Sequence, residues 1–174
     1  GTGSPVVTTT SPNGNSSGLW IGTPGATNLV LRQNDTSSLL YGVPAPGQSR
    51  VASFSTATLS FNNTGSYVMA VALEGTNIIT GNGVNSNGNA ILSNRNGSLE
   101  VIARSGSAAP DATGAASSTD RFRSTITSSQ IGFNNLGHVA FTSSLRNAAG
   151  TSTNTGASFT DIGGDPTRMI AKNR

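Results

Sequence analysis

The chain has 174 residues, ten of them basic and seven acidic for a formal net charge of +3, and it has no cysteine. That length suffices for one domain with a core, while the missing thiols exclude disulfides, thiolate catalysis and cysteine-ligated metals. Charged residues make up 10% and aromatic residues 5%, and the Gly, Ser, Thr and Asn that fill much of the rest disfavour helices by adding backbone entropy or competing for backbone hydrogen bonds.

In chain order, the opening GTGSPVVTTTSPNGNSSG is polar and rich in turn formers, and reads as a loop like EGTNIITGNGVNSNGN at 74–89. Eight short strands follow. The first four are LWIG (19–22), LVLR (29–32), ATLSF (57–61) and SYVMAVAL (66–73). The next four are AILS (90–93), LEVIAR (99–104), SQIGF (129–133) and HVAFTSSL (138–145). Turn chemistry separates them: TPGATN and NRNG lie between the first and second strands of each set, and NNTG and NNLG between the third and fourth. In the last two turns Asn62 and Asn134 occupy the first position, where Asn caps, and Gly65 and Gly137 the last, where φ turns positive. Along 67–73, Tyr67, Met69, Val71 and Leu73 alternate with Val68, Ala70 and Ala72. Large residues on one face and small ones on the other predict a sheet packed on both sides.

The two sets are copies. Asn62 and Asn134, Gly65 and Gly137, Leu73 and Leu145, and Arg32 and Arg104 each stand 72 residues apart. ASFTDIGGDPTRMIAK (157–172) begins a third copy, with Lys172 in the place of Arg32 and Arg104. The expected organisation is therefore one repeat-built region, 1–174. Residues 1–17 end a preceding repeat, 18–88 and 89–156 form two full repeats, and 157–174 start another. The expected fold is all-β: four-stranded antiparallel units of about 70 residues, stacked as β-propeller blades or a partial propeller. A closed propeller needs at least about four blades, so the chain reads as a segment of a longer array.

Asn134-Asn135-Leu136-Gly137-His138-Val139-Ala140-Phe141 carries the pattern N-x-x-G-x-x-A-F, and Leu19-Trp20-Ile21-Gly22 an L-W-x-G start. LVLRQND with VPAPG, and VIARSGSAAP, match an L-V-x-R-x-G-D-x-A-P-G tract. Together these resemble the bacterial secreted tandem-repeat proteins named for the NxxGxxAF motif, of the choice-of-anchor type. The resemblance covers nearly the whole chain and departs where Val68-Met69 replace Ala-Phe and where SSLLYGVP interrupts the first tract. It implies a propeller-like fold and a secreted or cell-surface location, and carries no catalytic residue with it.

Candidate chemistry is sparse. The one histidine, His138, has Ser66 as its counterpart in the other copy, so the repeat does not require an imidazole there. No pair of the seven acids is marked by spacing as a glycosidase pair. Asp161 and Asp165 in TDIGGDP hold the makings of a calcium site, without the dense Asp pattern of a dedicated loop. Arg32, Arg104 and Lys172 recur, either closing a strand edge by pairing with an acid or forming a cationic ring that attracts anions. Trp20 reads as packing between units before sugar stacking. The basic residues are scattered, with only Arg121 and Arg123 close together, which argues against nucleic acid, and no apolar run approaches a membrane span. We therefore expect no enzyme, metal or cofactor. The residues singled out, Asn62, Gly65, Asn134, Gly137, Phe141, Arg32 and Arg104, are structural. The expected role is a non-catalytic extracellular module that binds a protein or glycan partner through its loops. The alternatives are a subunit assembling with copies of itself into a filament or surface layer, and a carbohydrate-active propeller enzyme.

Overall fold

The computed structural model describes residues 6–9, 17–23, 25–34, 49–54, 58–75, 78–80, 86–123, 131–147, 149, 152–161 and 167–172. Among these it has fourteen strands and no helix. They are β1 (Val6–Thr9), β2 (Ser17–Thr23), β3 (Ala26–Arg32), β4 (Ser49–Phe54), β5 (Ser60–Phe61), β6 (Tyr67–Gly75) and β7 (Asn89–Ser93). The rest are β8 (Glu100–Arg104), β9 (Ala108–Pro110), β10 (Ala116–Phe122), β11 (Ile131–Phe133), β12 (Val139–Asn147), β13 (Ser152–Thr160) and β14 (Arg168–Lys172). All pairings are antiparallel, in three sheets: β1-β2-β3 first, β4-β6-β7-β8 in the middle with β5 on β6, and β14-β13-β12-β10-β9 last with β11 on β12.

The sheets are cut half a copy out of phase with the frame expected from sequence. β6 does not share its sheet with β2 and β3 but with β7 and β8, so each sheet joins the later strands of one copy to the earlier strands of the next. The antiparallel hairpin from β6 to β7, and from β12 to β13, makes this the local pairing. Three further differences appear. Residues 6–9, expected as loop, are a strand paired with β2. β9, at the 108–110 tract, adds a strand beyond β10. The third strand of each copy is split, because β4 and β5 both pair with β6, and β10 and β11 both pair with β12. In the break between β4 and β5 the buried Thr58 hydroxyl accepts from the Ala70 amide at 3.2 Å and donates to its carbonyl at 3.4 Å. A side chain thus replaces the missing ladder partner. The tracts SSLLYG and VPAPG lie outside the described residues.

Strand alternation decides the layering. Tyr67, Met69, Val71 and Leu73 pack with Ala90 and Leu92 against Leu19 and Leu31 of the first sheet. Val68, Ile91 and Ala103 on the opposite face pack against Val139, Phe141, Leu145 and Phe159 of the third. The middle sheet is therefore covered on both sides, and its large-residue face looks toward the first sheet. Phe122, Phe141 and Phe159 meet with centroids 5.0–6.0 Å apart, one pair edge-on and one stacked, which favours a single packing arrangement over a merely apolar one.

Two local features recur. In all three sheets one residue is skipped at the same place: Val30 between Leu29 and Leu31, Ile102 between Val101 and Ala103, and Ile170 between Met169 and Ala171. A bulge there adds twist to each sheet at the same point. The Asn-x-x-Gly turns also match. The Asn62 side-chain oxygen accepts the amides of Thr64 (3.1 Å) and Ser66 (2.9 Å), and that of Asn134 accepts those of Leu136 and His138, both at 2.9 Å. Asp111 builds the same turn before Gly114, and the Thr113 hydroxyl and amides on its carboxylate hold its pKa below the ordinary value. Gly65, Gly114 and Gly137 have φ of 84°, 88° and 83°.

A Cβ at Gly65 would touch nothing within 4 Å, so a substitution there tests backbone conformation alone. Gly65→Ala is expected to cost about 1 kcal/mol in urea denaturation, from the positive φ. Gly132→Ala, whose Cβ would make an ordinary 3.8 Å contact, is expected to lose no stability.

Candidate functional site

The described residues place the recurring cations at one register. Arg32 lies opposite Gly18, Arg104 opposite Ala90 and Lys172 opposite Ala157, each at the end of its strand. Their partners differ. Lys172 donates to the Asp120 carboxylate at 2.7 Å, and Arg104 Nε donates to the Asn87 carbonyl at 3.1 Å. Arg104 also borders a cleft of about 350 Å³ between the middle and third sheets. Val101, Ile102, Pro110 and Phe122 give it apolar walls, and Ser107 and Thr167 bring hydroxyls. β8 supplies one wall and the β9–β10 hairpin the other. The cleft exists because the chain leaves the middle sheet at Arg104 and enters the third at Ala108, turning on Gly106 at φ 84°. Such a groove suits an extended or amphipathic ligand held by burial, a few hydroxyl contacts and one guanidinium.

Beside the cleft, Arg146 is only 2% exposed and donates to Ser86, to its carbonyl at 3.2 Å and its hydroxyl at 3.4 Å. It stands 72 residues after Glu74, and its cross-strand neighbour is Arg121 where Glu74 faces Arg50. Burial first, then Arg121 and Arg123, pull its pKa below the ordinary guanidinium value. Two arginines that sequence kept apart from any cluster, 121 and 123, are thus joined by a third through strand pairing.

The densest polar centre was missed by sequence reasoning. Asp161 is 1% exposed; its Oδ1 accepts the Val139 amide at 2.6 Å, and its Oδ2, without a well-directed hydrogen bond, is ion-paired with Arg95. Arg95 Nε also bonds Glu100 at 2.6 Å. The Asp161 carboxylate is therefore committed to the joint between two sheets rather than left as a calcium ligand, and Asp165 lies outside the described residues. The same contact recurs in the middle sheet, where Asn94 Oδ1 accepts the Tyr67 amide at 2.7 Å. The residue before each completes the pattern, with Ser93 donating to the Tyr67 carbonyl at 2.8 Å and Thr160 to the Val139 carbonyl at 3.2 Å. A Ser-Asn or Thr-Asp pair at the end of a strand was the available signal, and it reads as ordinary turn composition.

The remaining candidates are local. His138 Nδ1 lies 3.2 Å from the Asn134 side-chain nitrogen, within its own turn. Asn62 and Asn134 cap their turns, and Phe141 is 3% exposed in the aromatic cluster. Trp20 is half-buried and lies across Gly18, where a Cβ would stand 2.5 Å from the indole. Among the described residues no three His, Cys, Asp or Glu side chains are grouped to hold a metal, and no helix is long and apolar enough to cross a membrane.

Residues 5–174 match the model of a family of unknown function, DUF7453, and the chain belongs to that family. No curated protein and no solved structure matches the sequence.

The Asp161 centre separates a hydrogen bond from a charge. Asp161→Ala is expected to cost roughly 3 kcal/mol in chemical denaturation, since it strands the buried Val139 amide and strips Arg95 of a partner. Asp161→Asn keeps the acceptor, as Asn94 does naturally, and is expected to cost about half as much. Equal losses for the two variants would place the whole effect in the charge.

Proposed function

We propose that this protein is a non-catalytic extracellular or cell-surface module, built from tandem repeats whose stacked sheets are propeller blades, that captures a protein or glycan partner. The observation that carries the reading is the cleft between the middle and third sheets. Its walls offer apolar side chains, hydroxyls and the Arg104 guanidinium, groups that bind and orient. Of the acids on the strands and turn around it, Asp120 is paired with Lys172 and Glu100 with Arg95, and the Asp111 carboxylate accepts the Thr113 hydroxyl and the Thr113 and Ala115 amides within its own turn. That arrangement favours recognition over acid–base turnover. The sequence resemblance to NxxGxxAF repeat proteins supports the secreted, bacterial surface setting. The recurrent bulge and turns support a repeated blade as the unit.

A panel of bacterial envelope glycans and extracellular proteins, screened by surface binding, tests this. Ala116→Trp, which places an indole in the cleft at a position exposed on β10, is expected to weaken capture at least tenfold while leaving the fold intact by circular dichroism. Absence of binding across the panel, or turnover of any glycan in it, would overturn the reading.

A further inference from the structure

We propose that the cleft takes an extended peptide, which pairs as an added strand with the outer edge of β8. The inference rests on the capture role proposed above and deepens it, by choosing polypeptide over glycan.

The lining of the cleft shows which part of β8 it meets. Successive side chains of a strand point to opposite faces, so a cavity beside one face touches every second residue. This cleft is lined by Val101, Ile102, Ala103 and Arg104, four residues in a row. It therefore runs along the edge of the strand, where the backbone is presented. β8 ends the middle sheet, with β7 on its inner side. The Arg104 carbonyl accepts the Ser107 amide at 3.2 Å and so turns away from β7, while the Ser105 amide turns inward to the Asn89 carbonyl at 2.9 Å. Alternation and the bulge at Ile102 put the backbone of Val101 on the same outer side as that of Arg104.

The third sheet shows what such an edge binds. Met169 stands in β14 as Val101 stands in β8: each precedes the skipped isoleucine, one opposite Phe159 and the other opposite Leu92. The Met169 amide donates to the Asp111 carbonyl at 2.9 Å, a backbone group just beyond the extended β9. Among the described residues no backbone group outside the middle sheet meets the Val101 amide, and Val101 is instead 36% exposed and borders the cleft. Both walls of the cleft come from residues 101–122 with Thr167, inside the chain, so the opening does not depend on where the sequence begins or ends.

A ligand that continues this edge needs a regular series of N–H and C=O groups, which a polypeptide has and a glycan lacks. The four lining residues of β8 span roughly 13 Å, room for about four residues of added strand. Arg104 stands at one end of that edge and favours an acidic side chain there. Apolar side chains at every second position of the ligand meet Pro110 and Phe122 on the opposite wall.

Selection of displayed random peptides of about eight residues, twice that span, on the 174-residue chain supplies the probe, with Ala116→Trp as counter-selection. Enriched peptides are expected to alternate apolar residues and to carry an acid at one end. Synthetic copies N-methylated at alternate amides then isolate edge pairing, since only one side of an added strand faces β8. Methylation of one alternate set is expected to weaken binding about tenfold, and of the other set to leave it unchanged. Hydrogen exchange reads the same contact on the protein. The Val101 amide is expected to exchange fast in the free chain and to slow at least about tenfold in the saturated complex. A Val101 amide already protected in the free chain would overturn the proposal, because the chain itself would then cover the edge. So would peptides indifferent to which set is methylated, or a selection that enriches none. A glycan captured by the wild type and lost in Ala116→Trp, with no peptide selected, would overturn the peptide assignment and leave the binding role standing.

Discussion

A single contact sets the geometry on which the rest of this structure depends. A side-chain oxygen at the end of one strand accepts the amide that opens the neighbouring strand, Asn94 to Tyr67 and Asp161 to Val139. The preceding hydroxyl donates to the carbonyl of the same residue. Both backbone groups of Tyr67 and of Val139 are thereby satisfied by an adjacent pair of side chains, and the ladders from β6 to β7 and from β12 to β13 are fixed in register. With register fixed, alternation does the rest. Tyr67, Met69, Val71 and Leu73 must face one way and Val68 the other, and the three-layer stack follows.

The second occurrence of this contact has acquired a charge. Where Asn94 serves with a neutral amide, Asp161 brings a carboxylate that reaches Arg95 on the hairpin of the preceding sheet. An ion pair so little exposed to water adds direction more than net stability, because desolvation offsets most of its attraction. Its consequence is positional: the turn at Asn134–Gly137 is brought against Arg95, and the Asn135 side chain accepts the Asn63 amide at 2.9 Å. Equivalent turns 72 residues apart are thus placed side by side. The β8–β9 crossing then leaves the cleft open on the opposite flank of the joint.

Local chemistry was legible in the sequence and pairing was not. The Asn-x-x-Gly turns could be assigned because their hydrogen bonds run from residue i to i+2 and i+4, all inside the quoted motif. The two faces of the fourth strand could be assigned because alternation is a property of that strand alone. The sheet boundaries could not, since the 72-residue spacing of matching residues has no intrinsic starting point, and a cut before β2 or before β4 fits it equally. The break between β4 and β5 escaped for a related reason: Thr58 repairs the ladder with its side chain, and nothing in STATLSF marks that threonine from its neighbours. The Asp161 centre needed three segments, at 95–100, 139 and 161, to be brought together. The same holds for Arg146, whose exchange for the acid at 74 acquires meaning only once Arg121 is known to lie opposite it.

The Ser-Asn and Thr-Asp pairs pin the openings of β6 and β12. Native-state hydrogen exchange of the backbone amides, followed by NMR, tests it most directly. The Tyr67 and Val139 amides, though each is the first residue of its strand, are predicted to exchange only on global unfolding, among the slowest in the chain. Exchange of these two amides at the fast rate of fraying strand ends would contradict the account.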